Sequence, residues 1–175
     1  MDTFSFKLGG LVHLTDPCYD APDPRHELID DGCGLYNVPC LDGDWRATRS
    51  YNDNRDAERE NRVVGFTIVS ADLGTKAVRT KSYRVGVDSG QFGIFDASIY
   101  ENDSDYDVEG SFYRTVCKIT NEENCGTVFN SGFVSSSGYG DGGYDLICGF
   151  LDGKLAYASI TFIEDYDDDE DDMPW

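Results

Sequence analysis

Two carboxylates in one short string offer the most explicit chemistry in this sequence. Residues 87–96 read Val-Asp-Ser-Gly-Gln-Phe-Gly-Ile-Phe-Asp, so Asp88 and Asp96 enclose a Ser-Gly turn, Gln91 and an apolar run. Carboxylates that face one pocket can share a metal ion or divide the roles of general acid and general base. The structural alternative is that Asp88 caps the turn and Asp96 ends the strand that follows.

A second string, Asp-Pro-Cys-Tyr at residues 16–19, follows an apolar run that contains His13. If the strand continued through it, His13, Asp16 and Cys18 would present an imidazole, a carboxylate and a thiol, a set that suits a transition metal. The proline disfavours a regular continuation. We therefore expect the strand to end here, with Asp16 capping the turn and Tyr19 packing onto the sheet.

A third string, Ser-Gly-Tyr-Gly-Asp-Gly-Gly-Tyr at residues 137–144, is rich in glycine. Glycines allow a backbone to approach a ligand closely. A phosphate cradle would require a helix to follow, and here a strand follows. We expect a tight turn, with a ligand or catalytic role for Asp141 as the alternative. The candidate pocket residues are Asp16, Asp88, Gln91, Asp96, Asp141 and Tyr144.

Metal-binding patterns are incomplete, and the sequence predicts no cofactor. Residues 103–109 alternate oxygen ligands as a calcium loop does, but Val108 replaces the required glycine and Arg114 the bidentate glutamate. The six cysteines include no pair separated by two residues. We expect a solvated acidic loop and free thiols that behave as small hydrophobic groups, with Ca²⁺ and a four-thiolate Zn²⁺ site as the weaker alternatives.

The charge is large and unevenly distributed. The 175 residues carry a net charge of -20, yet residues 45–84 hold nine basic and five acidic side chains. So acidic a chain is not expected to coat nucleic acids or anionic membranes. It has no apolar run of about 20 residues that could span a bilayer. Residues 1–7 lack a signal-peptide pattern, so we expect a cytoplasmic protein.

The acidic residues form two dense groups, at 101–109 and at 164–172. The second group has eight carboxylates in nine residues and is followed by Met-Pro-Trp. It is either a solubilising tail or a tail that docks on a basic surface, its own or a partner's. The candidate partner-binding residues are Asp103, Asp105, Asp107, Glu109, Asp165, Asp167, Asp168, Asp169, Glu170, Asp171, Asp172 and Trp175.

Strand patterns dominate the elements that must position these residues. β-branched and aromatic runs, separated by Gly, Asn and Asp turns, predict a mainly β domain over 1–163, either an antiparallel sandwich or a barrel-like sheet, with long loops and little helix. Asp152-Gly153 predicts a hairpin, and residues 155–163 a central strand. The predicted strands are 4–14, 45–51, 63–71, 76–87, 112–120, 126–135, 144–150 and 155–163. Residues 53–62 are predicted to form a loop or a short polar helix. Residues 164–175 are predicted to form the acidic tail.

The three strings, with Trp45 ahead of an arginine-bearing strand, carry a resemblance. They look like a family of uncharacterised bacteriophage and bacterial proteins, a domain of unknown function that ends in a Gly-Asp-Gly hairpin. The resemblance covers roughly residues 11–163, and the strings at 87–96 and 137–144 are its specific part. It implies a small, cytoplasmic, often phage-encoded β-rich domain and brings no activity with it.

Two functions follow from these patterns. The first is a non-enzymatic interaction protein that binds a basic host protein, such as one that binds nucleic acids, and inhibits or modulates it by imitating the phosphate backbone. The alternative is a ligand-binding or metal-binding domain, or an enzyme, that uses Asp88, Asp96 and Asp141. The alternative requires these three carboxylates to converge in one pocket.

Overall fold

The structure, a computed structural model, describes residues 2–51 and 62–164. Most of the segment predicted as a loop or short helix, and the acidic tail after residue 164, therefore lie outside the described residues. The described parts form twelve strands and one helix. They are β1 Thr3–Leu8, β2 Leu11–Thr15, β3 Ile29–Asp30, β4 Leu35–Pro39, β5 Gly43–Tyr51, β6 Val63–Ser70, β7 Arg79–Val87, β8 Gln91–Asp96, α1 Phe112–Glu123, β9 Cys125–Thr127, β10 Gly132–Ser136, β11 Gly142–Leu151 and β12 Lys154–Thr161.

The strands build two antiparallel sheets of six strands each, which confirms the predicted sandwich. Sheet A has the order β1-β5-β6-β12-β11-β7, and sheet B has the order β3-β4-β2-β8-β10-β9. The sheets do not close into a barrel. Alternate side chains of each sheet face the other, so Trp45, Phe66 and Phe133 are buried between them.

Sheet B is covered on both faces, and this explains its most apolar strand. Every residue of β8 is buried, because one face meets sheet A and the other meets α1 and Tyr100. Phe95 packs edge-on against Phe112 of the helix, with ring centroids 5.2 Å apart.

Across the described residues, no helix is long and apolar enough to cross a membrane.

The strand predicted at 112–120 is wrong, because these residues form α1. The β-branched and aromatic composition concealed a helical period in which Phe112, Val116 and Thr120 are four residues apart and all buried. Ser111 caps the helix, since its Oγ accepts a hydrogen bond from the Arg114 amide. Asn124 ends it in the left-handed conformation. Local capping and the buried stripe outweigh strand propensity here.

Two other predicted strands are each divided in two. The run 4–14 breaks at Gly10, whose φ of 101° turns the chain from β1 in sheet A to β2 in sheet B. The run 126–135 breaks into β9 and β10. The hairpin at Asp152 and Gly153 is confirmed, with positive φ at both residues, and β12 is a central strand as predicted.

We expect Ser111→Ala to lower the free energy of unfolding by about 1 kcal/mol, because the amide at the start of α1 loses its acceptor. Urea denaturation measures the change. Ser111→Thr keeps a hydroxyl at this position and is the matched control. A Ser111→Ala protein as stable as the parent would show that the cap does not hold the helix.

Candidate functional site

The carboxylate of Asp16 is buried and joins two of the three strings. Its Oδ1 accepts hydrogen bonds from the Cys18 amide at 2.8 Å and from Ser89 Oγ at 2.6 Å. Its Oδ2 accepts from the amides of Asp88 and Ser89 at 2.8 and 2.7 Å. Four donors replace the water that burial removed from this charge. Asp16 therefore caps its own turn, as predicted, and also fastens it to the turn between β7 and β8.

The glycine-rich string lies against the same turn. The Ser137 amide donates to the Gly90 carbonyl at 3.0 Å, and a Cβ on Gly90 would lie 4.0 Å from Gly140. Tyr144 closes the loop by donating its hydroxyl to the Gly140 carbonyl at 2.7 Å. All three strings thus meet at one place, which we name the Asp16 junction: residues 16–19, 87–91 and 137–144.

Hydrogen bonds from two tyrosines hold the outer part of the junction. Tyr19 donates its hydroxyl to the carboxylate of Asp88 at 2.6 Å. Tyr100 donates to the Tyr19 carbonyl, also at 2.6 Å. Burial is the main cause that raises the pKa of both phenols, so both stay protonated donors at neutral pH. The exposed Asp88 carboxylate is therefore held in one orientation.

Gln91 connects the junction to α1. Its Nε2 donates to Ser89 Oγ at 3.2 Å and to Cys117 Sγ at 3.5 Å, and its Oε1 accepts from Thr120 Oγ1 at 2.8 Å. The side chain is buried and its amide is fully used inside the protein. Gln91 therefore positions the helix against the turn.

The cysteine of the junction is not an activated nucleophile. Although Cys18 is exposed at the surface, surrounding atoms desolvate its sulfur, and with the hydrogen bond to Asp16 they raise the pKa of the thiol to about 12. A reactive or metal-binding cysteine requires the thiolate at neutral pH. Nearby Tyr113 has its pKa raised to about 12 as well, first by burial. The Cys18 thiol and the Tyr113 phenol are therefore both uncharged at neutral pH.

Of the remaining candidate carboxylates, Asp96 lies outside the junction and Asp141 lies at the solvent-facing tip of the loop formed by the third string. Asp96 ends β8 and accepts from the Gly9 amide at 2.5 Å and from the amide and hydroxyl of Ser98 at 2.9 and 2.7 Å. The length of β8 separates it from the junction by about 17 Å, too far for it to share a ligand with Asp88. Asp141 is exposed at the tip of its loop. The structure does not bring Asp88, Asp96 and Asp141 into one pocket.

An acidic cleft opens beside the junction. It has a volume of about 410 Å³, and none of the described residues that line it is basic. Its carboxylates are Asp20, Glu101 and Asp103, and the Asp103 amide donates to Asp20 at 3.2 Å, which ties the two walls together. The other lining residues are Pro17, Cys18, Tyr19, Ser104 and Tyr113.

Only part of the acidic group at residues 101–109 lies at this cleft. Asp103 lines it, whereas Asp105 accepts from the Asp107 amide at 2.8 Å within a turn, and Asp107 and Glu109 are exposed. Among the described residues, no three His, Cys, Asp or Glu side chains are arranged to hold a metal ion. The candidates Asp165, Asp167, Asp168, Asp169, Glu170, Asp171, Asp172 and Trp175 lie outside the described residues.

His13 is buried on β2 and serves the core rather than a ligand. Its Nδ1 accepts a hydrogen bond from the Asn37 amide at 3.1 Å, and Tyr100 packs against its ring edge-on. Burial lowers the pKa of His13 to about 4, and the nearby carboxylate of Asp96 opposes the shift. The His13 imidazole, the Asp16 carboxylate and the Cys18 thiol each make their own separate contacts. They therefore do not form a metal-binding site together.

No family model, curated protein or solved structure matches this chain. The resemblance to the family of unknown function therefore stays a prediction. Sequence reasoning missed Asp20 and Tyr113 as site residues, and it included Glu101 only as part of the acidic group 101–109. Tyr113 belongs to the segment interpreted as a strand, and the two acidic residues offered no signal beyond their charge.

We expect Asp16→Asn to lower the free energy of unfolding by about 2–4 kcal/mol, because the new amide group would point hydrogens at donors that need an acceptor. The control is Asp42→Asn, the same substitution at an exposed carboxylate. It should change the free energy of unfolding by less than about 0.5 kcal/mol. Urea denaturation of both variants measures the difference, and equal effects would contradict the role given to Asp16.

We expect the buried His13 to make the protein less stable in mild acid. Its folded pKa of about 4 lies below the unfolded value of about 6.5, so stability present above pH 6.5 is lost as the pH falls toward 4, by up to about 3 kcal/mol. His13→Asn keeps an acceptor near the Asn37 amide but does not titrate. Its stability should fall less steeply over this interval in urea titrations at several pH values. If the free energy of unfolding fell equally steeply with pH in the parent protein and in His13→Asn, His13 would not be the cause.

Proposed function

We propose that this protein is an interaction protein that binds and modulates a basic partner protein by electrostatic capture. The observation that carries the proposal is the acidic cleft, in which Asp20, Glu101 and Asp103 surround a concave surface without a basic neighbour among the described lining residues. A cationic side chain entering it would meet three carboxylates and no repulsion.

The chemistry of the cleft favours lysine and arginine side chains. Carboxylates accept charge-assisted hydrogen bonds from ammonium and guanidinium groups, and the planar guanidinium can be held by two oxygens at once. Tyr19 and Tyr113 add aromatic surface, on which a cation or the alkyl stem of a basic residue can rest. The cleft therefore combines charge with apolar contact.

The wider charge distribution supports a partner that itself binds nucleic acids. The net charge of -20 accelerates encounter with a basic surface and opposes direct contact with phosphates. The acidic groups at 101–109 and 164–172, with Trp175, would extend the contact beyond the cleft as a mimic of a phosphate backbone. If the chain is phage-encoded, as the resemblance implies, the partner is a basic host protein.

The alternative function has lost its geometric support. It depends on Asp88, Asp96 and Asp141 acting together, and these residues belong to separate turns. The interaction function needs no such convergence, because the carboxylates that carry it already line one cleft.

The test is the binding of a synthetic arginine-rich peptide, followed by the intrinsic fluorescence of the protein and by calorimetry. We expect the triple variant Asp20→Asn, Glu101→Gln and Asp103→Asn to weaken binding about tenfold or more at low salt. The affinity of the parent protein should fall steeply as salt is added. A glutamate-rich peptide of equal length should not bind.

The matched control neutralises three exposed carboxylates away from the cleft: Asp42→Asn, Glu122→Gln and Asp152→Asn. It changes net charge equally, so it separates the cleft from long-range attraction. If both triple variants lose affinity alike, the cleft is not the binding site. If neither differs from the parent protein, the proposed function fails for this surface.

A further inference from the structure

The edge strand β7 is rich in basic residues on an acidic protein, with Arg79 and Lys81 on one face and Arg84 on the other. It ends sheet A and carries the exposed cations Arg79, Lys81 and Arg84. Arg84 pairs with Asp145 at 3.0 Å on the sheet surface, whereas neither Arg79 nor Lys81 has an ion-pair partner among the described carboxylates. Basic side chains on an edge strand discourage pairing with neutral or basic strands. They favour an acidic one.

The direction of the backbone groups on β7 follows from one contact. The Gly86 amide donates to the Cys33 carbonyl, so it points away from the neighbouring strand β11. The register between β7 and β11 has no shift, and backbone direction alternates along a strand. The amides of Thr80, Ser82 and Arg84 therefore point away from the sheet as well, along an edge that no described strand covers.

The chain leaves the described structure close to this edge. Near the end of β12, Ile160 lies opposite Leu146 of β11, which lies opposite Tyr83 of β7. Two strand spacings of about 5 Å each therefore separate the end of β12 from β7. Glu164 and Arg84 line the same groove, which has a volume of about 440 Å³. The acidic residues that follow begin beside the basic edge.

We propose that residues 164–172 add to the edge of β7 in the same molecule, as an antiparallel strand. β12 runs parallel to β7, so a chain that reverses after Glu164 runs antiparallel to β7, from Arg84 toward Arg79. Six residues of β7 span about 17 Å, and the eleven residues after Glu164 can reach about 36 Å. Carboxylates would then face Arg79, Lys81 and Arg84 across the strands, an arrangement that stabilises antiparallel pairs.

This inference goes beyond the proposed function, because it concerns how the tail is stored rather than what the cleft binds. A tail paired with β7 is withheld from a basic partner until that partner displaces it. The cleft variants leave β7 unchanged, so failure of one proposal does not entail failure of the other.

The test is residue-resolved amide hydrogen exchange by NMR on the full chain at low and high salt. At low salt we expect the outward amides of Thr80, Ser82 and Arg84 to exchange about tenfold or more slowly than in the tail variant Asp167→Asn, Asp168→Asn and Asp169→Asn. High salt should remove the difference. The amides of Lys81 and Tyr83 bond to β11 in either case and are the internal control.

The reciprocal variant Arg79→Gln and Lys81→Gln should lose the same protection. Arg46→Gln with Lys154→Gln, two exposed cations elsewhere, should keep it. Outward amides that exchange equally fast in the parent protein and the tail variant would overturn the proposal. Protection that disappears on dilution would also overturn it, because the occupant would then be a second copy of the chain.

Discussion

The buried carboxylate of Asp16 is the constraint on which the arrangement of the loops depends. A charge placed inside a protein without a cation must be satisfied by hydrogen-bond donors, and here four donors from two chain segments converge on it. The turn after β2 is thereby tied to the turn between β7 and β8. Because Tyr19 and Pro17 line the acidic cleft, this bond network also fixes one of the cleft's walls.

The sandwich separates charges that would otherwise oppose each other. Acidic side chains gather on the loops around the cleft, whereas Arg79, Lys81 and Arg84 occupy the edge of sheet A. Carboxylates on exposed loops are solvated and screened, so their mutual repulsion costs the folded state little. The apolar core between the sheets can therefore hold the fold together despite the large net charge.

Sequence reasoning succeeded where a short-range pattern determines the structure. The Asp152-Gly153 hairpin, the central strand that follows it and the sandwich were predicted from alternation and turn chemistry. It failed at residues 112–120, where strand-like composition hid a helix whose cap and buried stripe decide its form. The meeting of the three strings could not be foreseen, because Asp16 and Ser89 are 73 residues apart and only the fold makes them neighbours.

Under the two proposals, the acidic cleft and the basic edge together determine how the tail acts. A segment tethered to its own docking strand has an effective concentration on the order of millimolar, so a separate basic protein must bind the tail more tightly than β7 does. The cleft faces no such competition, since its walls hold no basic group among the described residues. A partner anchored first in the cleft would itself become tethered near the tail. If both proposals hold, capture would proceed in two steps: the partner would bind the rigid cleft first and then displace the tail from β7.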